Sequence, residues 1–70
     1  MYSISADMAG KVLEICVHVG DQVEADQDIV VMESMKMQIP VAAPRPGRVK
    51  AILVSEGQFV NEGDPLVEFE

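Results

Sequence analysis

The chain has 70 residues, 49% of them hydrophobic but only 4% aromatic, and a formal net charge of −7 from five basic and twelve acidic side chains. So short a chain has too few atoms to enclose a roomy pocket and still build a core, which argues against a self-contained enzyme and for a carrier, binding or structural module. Five basic residues cannot lay a cationic stripe along phosphates, so nucleic acid and anionic membranes are removed as partners.

In chain order, residues 1–7 lack the basic flank and apolar run of a secretory signal. No later run reaches bilayer length, and the lone Cys16 can form no internal disulfide. These features set the expectation of a cytoplasmic location, with residues 1–70 forming a single domain. Residues 12–19 are the first predicted strand: Leu13, Ile15, Val17 and Val19 alternate with Glu14, Cys16 and His18 at a period of two. Cys16 is expected to fill a small apolar role. His18, beside a turn and without a second histidine or a cysteine cluster, reads as a surface side chain. Asp26 and Asp28 lack calcium-loop spacing, so no metal is expected.

Further strands are predicted at residues 29–32, 39–43, 49–54 and 66–69, all rich in Val and Ile. Alternation puts Met37, Ile39 and Val41 on one face and Gln38 and Pro40 on the other, which makes Met37 partly core. Pro40, Pro44 and Pro46 suit edge or loop positions. No stretch of helical length keeps a period of 3.6. The expected class is therefore all-β, a sandwich or barrel.

The two halves repeat. Residues 10–33 laid on 47–70, an offset of 37, match at eight of 24 positions: Gly10/Gly47, Val12/Val49, Ile15/Ile52, Val17/Val54, Gly20/Gly57, Val23/Val60, Val30/Val67 and Glu33/Glu70. Chance would supply roughly two. Matched glycines are expected to fix the same turns and matched aliphatics the same core sites. Two similar β units related by a pseudo-twofold axis follow. The first repeat ends at Glu33 and must turn where the second simply stops, which puts Ser34-Met35-Lys36-Met37 at one end of the domain.

That turn breaks a local rule. A two-residue hairpin favours Asn-Gly or Asp-Gly, because both central residues need positive φ; here the centre is Met35-Lys36. Broken local rules collect at functional sites. A lysine raised on such a tip presents a primary amine, which is a nucleophile once neutral, and no neighbour in sequence supplies a base. An arbitrary lysine is an ordinary solvated side chain; the motif, the mid-chain position and the repeat set Lys36 apart.

In this frame Glu33-Ser34-Met35-Lys36-Met37 resembles Glu-Ala-Met-Lys-Met, the attachment signature of biotinyl domains. Val19-Gly20-Asp21-Gln22-Val23 resembles the turn that precedes the lysine there. Ala43-Pro44, Gly47-Arg48-Val49 and Glu56-Gly57-Gln58-Phe59-Val60 resemble the segment that follows it. The likeness to the biotin/lipoyl attachment and biotin carboxyl carrier family runs from about Met8 to Glu70. Ser34 stands where Ala is commoner, and Asp26 where Gly often stands.

The resemblance implies a flattened β-barrel of two four-stranded antiparallel sheets with pseudo-twofold symmetry, the lysine on a hairpin tip opposite the termini. It implies that a biotin protein ligase acylates Lys36 from biotinyl-adenylate, with Met35 and Met37 read by the ligase and by carboxylase partners, Ser34 a small change from Ala that keeps biotinylation, and Glu33 helping to exclude or choose partners. The attached biotin would shuttle carboxyl groups between a biotin carboxylase and a carboxyltransferase, so the domain is a carrier and not a catalyst. It is expected to be monomeric when free. Two alternatives stand beside this reading. In one, lipoate is attached in place of biotin or as well as it, since Glu33 lies three positions before the lysine as in lipoyl relatives, although Met35 and Met37 depart from them. In the other, the domain is an unmodified structural module, a reading the presence of Lys36 opposes.

Overall fold

Short Val- and Ile-rich runs interrupted by Gly, Pro and Asp suit pleated strands and turns, and nothing in the chain offers a helix a continuous apolar stripe. The computed structural model describes residues 2–70, and among them there are eight strands and no helix. The strands are β1 (Tyr2–Ser5), β2 (Gly10–Ile15), β3 (Gln22–Val23), β4 (Asp28–Ser34), β5 (Met37–Ala42), β6 (Gly47–Ile52), β7 (Phe59–Val60) and β8 (Pro65–Phe69). They form two four-stranded sheets, ordered β1-β8-β6-β3 and β5-β4-β2-β7, with every pairing antiparallel. No helix here is long and apolar enough to cross a membrane.

The offset of 37 carries β1, β2, β3 and β4 onto β5, β6, β7 and β8, and carries one sheet order onto the other. The repeat extends beyond residues 10–33 and 47–70. Ala6 and Ala43, both buried, make equivalent bonds: their N–H groups donate to the carbonyls of Asp64 and Gln27, each at 2.9 Å. Neither half forms a sheet alone, because each sheet takes two strands from each half. The paired turns repeat as well. Gly20 and Gly57 have φ of 95° and 90°, and Asp26 and Gly63 have φ of 69° and 89°. Asp26 thus does the work of a glycine, as a short polar side chain can. Asp21 Oδ2 accepts from the His18 N–H at 2.9 Å where Gln58 Oε1 accepts from the Ser55 N–H at 3.0 Å.

Three strands escape the pattern of apolar runs. β3 and β7 have two residues each, too few to show a period, and β1 is half serine. The strand expected at residues 12–19 ends at Ile15, and its inward face changes parity. A bulge between Val12 and Glu14 leaves Leu13 as an extra residue, so Val12 and Val17 are buried while Leu13 and Ile15 are half-buried and Val19 is exposed. A matching bulge between Val49 and Ala51 does the same in β6. An inserted residue shifts the side-chain period by one, which strict alternation cannot anticipate.

Phe69, Ile29, Met32 and Leu66 are the largest side chains enclosed between the sheets, and no polar or charged residue among those described is buried. With a single cysteine there is no internal disulfide, and stability rests on this apolar layer. Pro40 lies on β5, the edge of its sheet, and faces Val31, while Pro44 and Pro46 lie in the loop that follows. The register that pairs Met32 with Ile39 on β4 and β5 pairs Phe69 with Tyr2 on β8 and β1. The lysine turn is therefore the pseudosymmetric equivalent of the gap between the first and last strands.

Candidate functional site

β4 and β5 run as a hairpin whose last pair is Ser34 with Met37, leaving Met35 and Lys36 as a two-residue turn. Their φ values are 54° and 65°. Positive φ at both centres is the primed geometry that the right-handed strand twist demands. Placing Cβ-bearing residues there costs about 1–2 kcal/mol each. The rest of the hairpin holds the turn in place: Glu33 pairs with Gln38, Met32 with Ile39 and Val31 with Pro40, and Met32 is anchored in the core.

Gly10 completes the base. A Cβ there would lie 2.5 Å from the carbonyl oxygen of Glu33. Gly10 and Gly47 therefore do not make turns, as their match in the repeat suggested. They open β2 and β6 and let a neighbour approach: the hairpin backbone at Gly10, the Tyr2 and Phe69 rings at Gly47. The repeat marked both glycines, but only the strand pairing gives the reason.

Lys36 is exposed, and among the described residues no hydrogen bond or ion pair holds its Nζ. Met35 is 90% exposed and Met37 59%. Met37 thus corrects the expectation of a partly core side chain. It points along the inward side of β5 but sits beyond the end of the packed layer, whereas Ile39 and Val41 further down are half-buried. Ser34 is half-buried under the turn. Glu33 is exposed on the outer face, between Lys11 on β2 and Gln38 on β5. The structure brings all five predicted residues onto one hairpin end. Chemically it offers an unshielded primary amine with no base in contact, so acylation would require a base supplied from outside.

Among the described residues no three His, Cys, Asp or Glu side chains cluster as a metal would need. A surface cavity of about 280 Å³ between β1 and β5, lined by Ser3, Asp7, Val41 and Pro44 among others, lies away from the turn. His18 is 91% exposed, with Nδ1 3.7 Å from Asp21 Oδ2. Cys16 corrects its expectation: it is exposed rather than part of the apolar layer, because it lies past the end of β2 on the face turned outward by the bulge. Partial desolvation, then the charges of Glu14, Asp28 and Glu56, push its thiol above the usual value, which makes it a poor nucleophile.

Residues 2–69 match the model of the biotin/lipoyl family, described as biotin-requiring enzyme. The chain is 48% identical over 66 residues to the biotin/lipoyl attachment protein of Bacillus subtilis, covering 94% of this chain and 90% of that protein. It is 43% identical over 65 residues to the biotin carboxyl carrier protein of Streptococcus mutans, covering 93% of this chain and 50% of that one. It is also 41% identical over 61 residues to the dihydrolipoyllysine-residue acetyltransferase component of the pyruvate dehydrogenase complex of Azotobacter vinelandii, covering 87% of this chain and 10% of that one. In structure, a single-chain, multi-domain long-chain acyl-CoA carboxylase superposes with a TM-score of 0.93 at 41% identity, over 97% of this chain and 7% of the larger one. The chain thus spans nearly all of one relative, half of another and under a tenth of the carboxylase. A family match over almost the whole chain and a relative of its own size together place it: the chain belongs to the biotin/lipoyl attachment family.

Proposed function

We propose that this domain is a covalent biotin carrier and that Lys36 is the acceptor. The observation that carries the proposal is an exposed amine with no partner among the described residues, on a tip whose two central residues sit at positive φ, flanked by two exposed methionines, in a chain of this family. Lys36 Nζ, deprotonated by a base of a biotin protein ligase, attacks the carboxyl carbon of biotin held as its adenylate. The amide C–N bond forms, the C–O bond to the phosphate breaks, and AMP leaves. The tip fits this role because the amine must enter another protein's active site and Lys36 stands exposed at the end of its hairpin. Met35 and Met37 give the ligase an apolar grip on either side of the amine, Ser34 adds no bulk beneath it, and Glu33 supplies a charge that wrong partners must tolerate. Once attached, biotin supplies the ring nitrogen that carries a carboxyl group between a biotin carboxylase and a carboxyltransferase. The domain is the tether, holding the group at high effective concentration near both active sites.

Intact mass after incubation with a biotin protein ligase, biotin and ATP tests the reading. One biotinyl group should be added to the wild type and none to Lys36→Arg. An adduct that survives the substitution, on Lys11 or Lys50, would refute the site. A lipoyl acceptor is the second reading, favoured by the Azotobacter relative and by Glu33 three positions before the lysine. A lipoyl adduct with lipoate ligase, and none with biotin ligase, would replace the first reading with this one.

A further inference from the structure

The two halves of this fold serve as controls for each other. Residues 37 positions apart occupy equivalent strands and turns, so packing makes a similar demand on both, and an exposed pair that differs in character points outside the fold where no contact within it accounts for the difference; Glu56, the equivalent of Val19, is accounted for by the bond its Oε2 accepts from the Ile15 N–H. On the outer face of the lysine-bearing sheet the register lines up Gln38, Glu33, Lys11 and Phe59 across β5, β4, β2 and β7. The equivalents of the last three on the other sheet are Glu70, Arg48 and Gln22. The acid and the base are kept in kind, but an amide has become a phenyl ring. Phe59 is 64% exposed, the only aromatic so placed among the described residues. β3 forms equally well with Gln22, so the ring is not there to build a strand.

Resting on the biotin-acceptor reading, we propose that Phe59 is a docking anchor for the biotin ligase. It would seat in an apolar pocket of that enzyme while Lys36 enters the active site. β7 lies two strand spacings from β4, about 10 Å across the sheet, so Phe59 and the lysine turn fall within one protein footprint of ~800 Å². The ligase is the partner that needs such an anchor. It must recognise the unmodified domain from protein surface alone, whereas the carboxylase components also bind the tethered biotin. Aromatic side chains seated in pockets dominate interfaces of this kind. The net charge of −7 adds a complementary feature, a cationic border around the pocket.

Steady-state biotinylation of the unmodified domain tests this. Phe59→Gln installs the residue that β3 carries at the equivalent place. It should raise KM for the domain about tenfold with kcat unchanged, and Phe59→Ser should do the same. Phe59→Tyr should restore KM, and Gln22→Phe on the other sheet should leave it unchanged. A wild-type KM in both Phe59→Gln and Phe59→Ser, with melting temperatures intact, would overturn the proposal. So would a defect confined to carboxylation after normal ligation. A wild-type domain that accepts no biotin at all would instead overturn the acceptor reading, and with it the ligase as partner.

Discussion

The strained turn makes a quantitative prediction that does not depend on any cofactor. Met35→Asn combined with Lys36→Gly puts the residues preferred for a primed two-residue turn at φ of 54° and 65°. Little is lost in exchange: Met35 is 90% exposed and Lys36 has no partner among the described residues, so almost no packing or hydrogen bonding disappears. Relief is about 1–2 kcal/mol per residue. The added glycine gives back about 0.5–1 kcal/mol through the greater freedom of the unfolded chain. The net gain is about 2 kcal/mol, which for a domain of this size raises Tm by roughly 8–16 °C. Thermal melts followed by circular dichroism, with urea titration for ΔG, measure it. An unchanged or lower Tm in a variant with native spectra would refute the claim that the tip stores strain. The same variant should be dead as an acceptor, separating stability from function at a single turn.

Gly10→Ala should destabilise the fold by about 1–3 kcal/mol, because the new methyl meets the Glu33 carbonyl oxygen at 2.5 Å and that backbone cannot yield cheaply. Gly47→Ala should cost less, since its nearest contact is the Tyr2 hydroxyl at 3.1 Å, the end of a side chain; paired urea titrations rank the two. Phe69→Ala removes the largest fully buried side chain and should cost about 3–5 kcal/mol. In a 70-residue domain that is enough for the variant to be mostly unfolded at 37 °C by circular dichroism. Cys16 should be alkylated by iodoacetamide more slowly than a free cysteine at pH 7–8. Burial and the neighbouring carboxylates hold its thiol above the usual cysteine range, so at any given pH less of it is the reactive thiolate, and the rate rises with pH. Added salt, by screening Glu14, Asp28 and Glu56, should speed the reaction; a rate above that of a free cysteine would contradict the assigned cause.

Turn positions and the lysine tip were legible in the letters because they are local. A glycine at positive φ needs only its own neighbours, which is why Gly20/Gly57 could be matched by an offset of 37, while the φ values add Asp26 and Gly63 as a further equivalent pair. Met35-Lys36 likewise stood out as wrong residues for a tight turn, and they do adopt that turn. The all-β class and the twofold repeat followed from the same spacing. Side-chain environment was another matter. Whether Met37 is core or exposed, and whether Cys16 lies inside or outside, depends on where a sheet ends and where an extra residue enters a strand, and neither leaves a mark on hydropathy.

Strand pairing beyond the lysine hairpin is the part that belongs to the tertiary structure alone. Each sheet is assembled from both halves, and the partners lie far apart along the chain: Tyr2 with Phe69, Gly10 with Val60, Gln22 with Arg48. Such pairings are chosen by the joint burial of two apolar faces, a property of no single segment. They alone put Phe59 in one row with Glu33 and Lys11 on the sheet that bears the lysine. They alone make Gly10 indispensable to a hairpin more than twenty residues away in sequence. The letters determined that an amine would stand at a turn between two like halves; the interleaving of those halves decided which surface surrounds it.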